Sequence, residues 1–312
     1  MEQDMKYIYM IYKKQSISKA AEALYMTQPA LSIAVSRVED SLGTRLFNRD
    51  QKPLELTEAG ELYINKVLQI QALEDELQAQ LNDLSDLKTG ILKIGGSHYL
   101  NSYILPPILT AFSRQHPGIQ LELVEAGSYE LLDMLKEHVI DITFNCTLSP
   151  KDSWNRIPGF QDMILLAVPS YFETNDMLQA YRLTGRDILS KRHLRPDCPS
   201  VTMDLFPGIP FILLTPGNNL YSRCRHFFEC AKTEPAVCLQ VSQLVTAYHL
   251  ARGGMAATFI SDWLIKDECP DLFLYKIDSP QATRSFNLVT RGKTYMPKAQ
   301  QEFIRIFKDY YE

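Results

Sequence analysis

Long apolar runs are missing from this 312-residue chain. No stretch approaches the roughly 20 residues that a membrane-spanning helix needs. Cysteine is sparse and unpatterned: the six cysteines fall at 146, 198, 224, 230, 238 and 269, none at zinc-finger or C-x-x-C spacing. Reduced thiols are therefore expected, and a chain of this length does not depend on disulfides. A strong basic excess is also lacking, since the formal net charge is −5; any nucleic-acid contact has to be local. No nucleophile elbow, P-loop, dinucleotide fingerprint or metal-ligand string occurs, which argues against an enzyme and against a bound cofactor or metal. The opening MEQDMKYIYM carries acids and has no basic-then-apolar leader layout, so a cytoplasmic location is expected. What is present is ordinary globular material. Hydrophobic residues make up 46% and charged residues 22% of the chain, enough for about two domains.

The stretch SISKAAEALYMTQPALSIAVSRVE, beginning at Ser16, contains two helical patterns broken near Tyr25. Thr27 suits an N-cap and Pro29 the first turn, where a missing N–H costs nothing. Leu31, Val35, Val38 and Leu42 repeat at helical spacing as a buried stripe. Pro29, Ser32, Ile33 and Ser36 then face outward, with Gln28 beside the helix start. Ser18 is the expected cap of the preceding helix, whose Ala20, Ala21 and Ala23 permit close approach of a neighbour. Two short helices joined by a tight turn fit either a packed hairpin or a helix-turn-helix. The second reading gives the outward residues a chemical role, because Gln can bond adenine at two points and the positive helix end favours phosphate.

After the second helix, NRDQKPLELTEAG places Arg49 and Lys52 beside a turn before the extended run Leu54–Leu56, the pattern of a β-wing on the DNA backbone. Here the chain resembles the LysR-type transcriptional regulators. The resemblance rests on SISKAAEALYMTQPALS, VEDSLGTRLFNR and LELTEAGE, in family order and spacing over about 60 residues. It implies duplex DNA as partner, through Thr27, Gln28, Pro29, Ser32, Ile33, Ser36, Arg37, Arg49 and Lys52. Two departures temper the phosphate attraction. Ile33 and Ser36 stand where the family often has basic residues, and residues 1–57 hold eight Lys/Arg against seven Asp/Glu. Salt dependence should accordingly be shallow. Ile33 either touches a thymine methyl or simply packs.

Thr57 can cap a helix running from Glu58 towards Leu87. Ile70, Leu73, Leu77, Leu84 and Leu87 follow a/d spacing, with Gln80 as a polar interruption and Leu68 and Leu81 widening the stripe. The stripe packs either on the chain's own C-terminal domain or on a second subunit. The family resemblance implies the latter: a homodimer, or a homotetramer, with RNA polymerase as a further partner. From Ile91 strands alternate with helices, the signature of a parallel-rich α/β sheet. The expected layout is thus multidomain: a winged helix-turn-helix over 1–57, a linker helix over 58–88 and an effector domain over 89–312. By resemblance the last has two lobes of periplasmic-binding-protein type II. Lobe I covers about 89–164 plus 269–312 and lobe II about 165–268, with a small-molecule effector in the cleft. The segment 171–205 looks like a surface insertion without an assigned role.

Ligands in open α/β lobes gather at the carboxyl ends of strands. That places Ser97, His98, Tyr99, Ser128, Asn145 and Cys146 in lobe I, and Thr215, Asn218, Asn219 and Phe259 in lobe II. Each is either an effector contact or an ordinary loop bond; His98 is an anion contact or a solvated loop histidine. Hydroxyls and amides at these points can bind a carboxylate without a buried cation. A redox alternative would use Cys198, Cys224 or Cys230. The family's peroxide sensors carry their pair in the second lobe, where Asn219 and Phe228 stand at the matching positions.

Overall fold

The computed structural model describes residues 3–83, 89–148, 153–292 and 295–311. The chain divides into two units, Met1–Asp86 and Leu87–Glu312.

The first unit opens with a helix that the sequence reading passed over, α1 (Gln3–Lys14), followed by α2 (Ile17–Ala23) and α3 (Gln28–Leu42). Ile8 and Ile11 of α1 are fully buried with Ala20 and Ala21 of α2 and Leu31, Val35 and Val38 of α3. The two alanines let three helices approach without a bulky side chain between them. Ser16, not Ser18, caps α2: its Oγ accepts from the Lys19 N–H at 3.4 Å. Ser18 Oγ instead donates to Gln28 Oε1 at 3.2 Å, tying the first turns of both helices together. Thr27 caps α3 as expected, accepting from the Ala30 N–H, and Gly43 ends it in the left-handed conformation. Leu42 does not continue the buried stripe and is 47% exposed. The interior position in that last stretch goes to Glu39, because the chain leaving α3 presents backbone N–H groups that need an acceptor.

The wing is short. Strands β1 (Phe47–Asn48) and β2 (Glu55–Leu56) pair antiparallel, Phe47 opposite Leu56. Helix α4 (Glu58–Asp83) follows, with Thr57 Oγ1 accepting from the Gly60 N–H at 3.0 Å. Gly60 is required here, since a Cβ would run into the Leu46 carbonyl oxygen. Ile64, with Tyr63 and Leu68, anchors the start of α4 in the helix-turn-helix core. Leu84 and Leu87 lie outside the described residues.

In the second unit, β3 (Gly90–Gly96), α5 (Pro106–Gln115), β4 (Ile119–Glu125), α6 (Ser128–Lys136) and β5 (Thr143–Asn145) form a βαβαβ start. Strands β3 and β4 are parallel, and an Ile94–Ile142 bridge joins β3 to the approach of β5. A single π-type turn, Leu100–Ile104, precedes α5, so the regular helix begins at Pro106 rather than Ile104. The long β6 (Asn155–Pro169) is common to both lobes. Its first part pairs with β12 (Thr283–Thr290) and its second with β10 (Ala257–Ser261) and β11 (Leu272–Ile277). The chain therefore crosses first near Met163. The return falls in 278–282 rather than at 268, because β11 still hydrogen-bonds to the second-lobe half of β6. The parallel core of the second lobe is β10, β8 (Pro210–Leu214) and β9 (Ala236–Val241). Helices α9 (Asn219–Cys230) and α10 (Leu244–Arg252) belong to this lobe, and α11 (Lys298–Tyr311) packs on α5 and β6.

The segment 171–205 is no loose insertion. It contains α7 (Thr174–Met177), α8 (Gly185–Leu189) and β7 (Ser200–Val201), and β7 extends the sheet by pairing with β11. Leu183, Ile188, His193, Cys198, Val201 and Met203 are buried within it. Its elements are too short to show periodicity, which is why it reads as irregular. No helix among the described residues is long and apolar enough to cross a membrane.

Candidate functional site

Three surfaces stand out, two in the first unit and one in the second. On α3, Gln28, Pro29, Ile33 and Arg37 are exposed, Ile33 to 63%, and Ser32 and Ser36 are half-buried beside them. The face opposite the Leu31–Val35–Val38 stripe is thus free of the unit's own core. Thr27, exposed at the helix start, is engaged as the cap. Tyr25, in the turn before it, is 99% exposed with a left-handed φ of 54°.

Arg49 has a more specific position than a free wing cation. Its Nη2 donates to Glu39 Oε2 at 2.8 Å and to Ser36 Oγ at 3.3 Å. Glu39, 7% exposed, also accepts from the Leu46 N–H at 2.8 Å and the Phe47 N–H at 3.4 Å. One carboxylate therefore fixes the strand leaving α3 and holds Arg49 against the outward face of that helix. Part of the Arg49 charge is neutralised by this pairing, whereas Lys52 at the wing turn stays exposed.

In α4, Leu73 is 67%, Leu77 57% and Leu81 51% exposed, and Ile70 is half-buried. These leucines form an apolar stripe along the part of the helix beyond its anchor.

In the second unit, a cleft of about 410 Å³ opens between the lobes. Ser97, His98, Tyr99, Ser128, Cys146, Thr215, Asn218 and Asn219 all line it, brought there by the ends of β3, β4, β5 and β8. Asn145 and Phe259 do not. Asn145 is buried, its Oδ1 accepting from the Thr147 N–H and Oγ1 at 2.7 and 2.9 Å to form the turn after β5. Phe259 points into the core of lobe II, stacked on Phe211 at 6.1 Å and edge-on to Phe228. Alternation along β10 leaves no face open there, because all five of its residues are buried.

The cleft also contains a buried cation, contrary to the sequence expectation. Arg284, at 5% exposure, donates through Nε to Asp162 Oδ1 at 2.7 Å and pairs through Nη2 with Asp162 Oδ2. Burial opposes its charge, but the Asp162 carboxylate more than offsets this and raises the guanidinium pKa. Asp162 further accepts from Ser261 Oγ at 2.7 Å and Tyr99 OH at 3.2 Å. Burial, reinforced by Asp162, pushes the Tyr99 phenol up, so it stays protonated. The network continues into lobe II: Ser261 Oγ reaches Asp262 Oδ1 at 3.4 Å, and Asp262 Oδ2 lies 3.0 Å from Nε2 of the buried His193. Across the mouth, Cys146 Sγ donates to Asn219 Oδ1 at 3.3 Å, a direct contact between lobes. Burial raises the Cys146 thiol pKa too, keeping it neutral. Sequence reasoning missed Arg284, Asp162, Gln243 and Glu125. The one available signal was an arginine beside the apolar strand FNLVT, where a charge must find a partner.

Two family models cover nearly the whole chain. The bacterial regulatory helix-turn-helix protein model of the lysR family matches residues 3–61, and the LysR substrate binding domain model matches 85–312. The chain belongs to the LysR family. This LysR-type protein is a DNA-binding transcriptional regulator with a C-terminal effector-binding domain, and it is not an enzyme. It is 36% identical over 304 residues to a probable RuBisCO transcriptional regulator of Thalassiosira pseudonana, covering 95% of this chain and 93% of the relative. Its fold is similar to that of full-length OxyR from Pseudomonas aeruginosa, with TM-score 0.65, 18% identity, and 98% and 93% of the two chains covered. It is likewise similar to full-length CbnR complexed with its target DNA, with TM-score 0.62, 18% identity, and 99% of both chains covered. For the redox alternative, burial drives the Cys224 thiol pKa far up, and Cys224 and Cys230 sit on the buried and exposed sides of α9.

Proposed function

We propose that this LysR-type regulator reads duplex DNA as a homodimer through the outward face of α3, and that a small effector in the interlobe cleft sets its activity. The carrying observation is the unburied face from Gln28 to Arg37, presented by a helix whose opposite side is fully packed. Gln28 and Ser32 supply hydrogen bonds to base edges. Arg49, held beside Ser36 by Glu39, and Lys52 at the wing supply backbone contacts. One such helix reads too few base pairs for specificity, so two act together on half-sites about 10 bp apart, or a multiple of that.

The exposed leucines of α4 support the pairing. Leu73 and Leu77, each more than half exposed, would gain about 1–2 kcal/mol apiece if buried completely by a partner, roughly 60% of the value for a fully exposed leucine. The convergence of hydroxyls, amides and helix ends from both lobes supports the effector reading. A homotetramer and contact with RNA polymerase are the further parts of this proposal, carried by the family alone. Nuclease footprinting on the DNA upstream of the protein's own gene tests it. Two protected half-sites on one face of the duplex are expected. Absence of protection on any upstream fragment at low salt would count against it.

A further inference from the structure

The interlobe cleft holds a cation that its counter-ion clamps on one edge only. Arg284 Nε and Nη2 face Asp162, whereas Nη1 makes no hydrogen bond among the described residues, and Arg284 lines the cleft. A guanidinium has five N–H donors in a fixed plane, so a clamp along one edge leaves the other edge with donors to fill. The plane is held by rings, Tyr99 at 5.7 Å and Phe286 at 5.1 Å from the guanidinium carbon. Asp162 is fixed in this orientation, because its Oδ2 also accepts from Ser261 Oγ and Tyr99 OH.

Two helix ends meet the same space. Helix α6 enters it behind Gly127 and α10 behind Gln243, and neither N-cap residue makes a side-chain capping bond. Ser16, Thr27, Thr184 and Asn218 do cap α2, α3, α8 and α9. The uncapped ends leave first-turn N–H groups and a partial positive charge directed at the cleft. His98 adds a buried Nδ1 without a partner among the described residues. The negative side is as informative. Asp162 cancels the formal charge of Arg284, and Glu125 places a carboxylate at the exposed rim.

Building on the effector reading above, we infer that the cleft takes a small monocarboxylate, its carboxylate held by Arg284 Nη1 and the uncapped helix ends, its apolar body against Phe286. A ligand without an acceptor would leave those donors unfilled, and a neutral carbonyl would fill them with weaker bonds than a charged carboxylate makes. A phosphate or dicarboxylate would bring a second charge that no unpaired cation among the described lining residues matches, and that Glu125 repels. Asp162 acts as a positioning residue, fixing which edge of the guanidinium faces the ligand. The volume of about 410 Å³ suits a small molecule.

The test uses the full chain with cyclohexanecarboxylate, its neutral carboxamide and inorganic phosphate, at constant ionic strength, in calorimetric titration and thermal unfolding. The carboxylate should bind saturably and raise Tm, at least tenfold more tightly than the carboxamide, with no saturable phosphate binding. Arg284→Gln alone strands a buried carboxylate and can fail to fold, so the neutral pair Arg284→Gln with Asp162→Asn is measured beside it. In the double variant the preference for carboxylate over carboxamide should fall to within about twofold. Equal binding of carboxamide and carboxylate by the natural chain, a preference that survives in the double variant, tighter phosphate binding, or no binding by any probe would each overturn the inference. Thr215→Trp separates the two levels. If it leaves probe binding intact, the cleft is not the site and the effector reading falls with it; if it abolishes equal carboxamide and carboxylate binding, only the charge class is wrong.

Discussion

Replacing Glu39 with alanine should loosen the wing and the recognition helix together. Its carboxylate is the acceptor for the Leu46 N–H at 2.8 Å and the Phe47 N–H at 3.4 Å, both in residues at most 2% exposed. Losing the better bond strands a buried donor at about 1–3 kcal/mol, and the longer bond adds less. The ion pair with Arg49, whose side chain is 39% exposed, contributes up to about 1 kcal/mol after solvent screening. The sum is roughly 2–4 kcal/mol of local stability. Because unfolding of two units need not be two-state, amide exchange at Leu46 and Phe47 is the better assay. Those amides should exchange roughly 30- to 700-fold faster in Glu39→Ala, at about 1.4 kcal/mol per tenfold. Glu39→Gln keeps a carbonyl acceptor and should recover most of the protection, while still releasing Arg49. An alanine variant with unchanged exchange at both positions would refute the role given to this carboxylate.

Two further outcomes follow from the geometry. His138, half-buried beside Arg291, has its pKa lowered to about 4 by burial first and the Arg291 charge second. The unfolded chain then binds more protons between about pH 6.5 and 4, so stability falls as pH drops through that window. Discounted for partial exposure, the loss from pH 7 to 5 is about 1 kcal/mol, and His138→Gln should remove that slope in thermal unfolding followed against pH. An unchanged slope would refute it. If the proposed dimer forms through α4, Leu73→Glu with Leu77→Glu should leave a monomer in sedimentation and weaken operator binding, with the fold kept, because both side chains are solvent-exposed in the single chain. A dimer that persists would place the partner contact elsewhere.

Much of the first unit was legible because its signals are local. Thr27, Pro29 and the Leu31–Val35–Val38 stripe sit within a few residues of one another, and capping and periodicity act over that range. Ser18 and Ser16 are equally suited as caps by residue type; only the extended backbone at Ser16, with ψ at 125°, selects between them. The cleft was partly legible, since strand ends followed by polar residues announce themselves in an α/β pattern. Phe259 failed this rule because β10 is covered on both faces. Arg284 was hidden by distance: its partner Asp162 lies 122 positions away, on the strand that both lobes share. The same strand explains the misplaced return crossing, for nothing local in LFLYKI tells which half of β6 it will pair with.

Whether the outward face of α3 reads bases is addressed most directly by selection of binding sites from random duplexes. Gln28→Ala and Ser32→Ala should each flatten the preferred sequence at one or two positions per half-site, by about 1–3 kcal/mol of discrimination. Thermal stability should stay near that of the natural chain, since Gln28 is exposed and Ser32 only half-buried. Selected sequences identical to those of the unaltered protein in both variants would show that this face does not read bases.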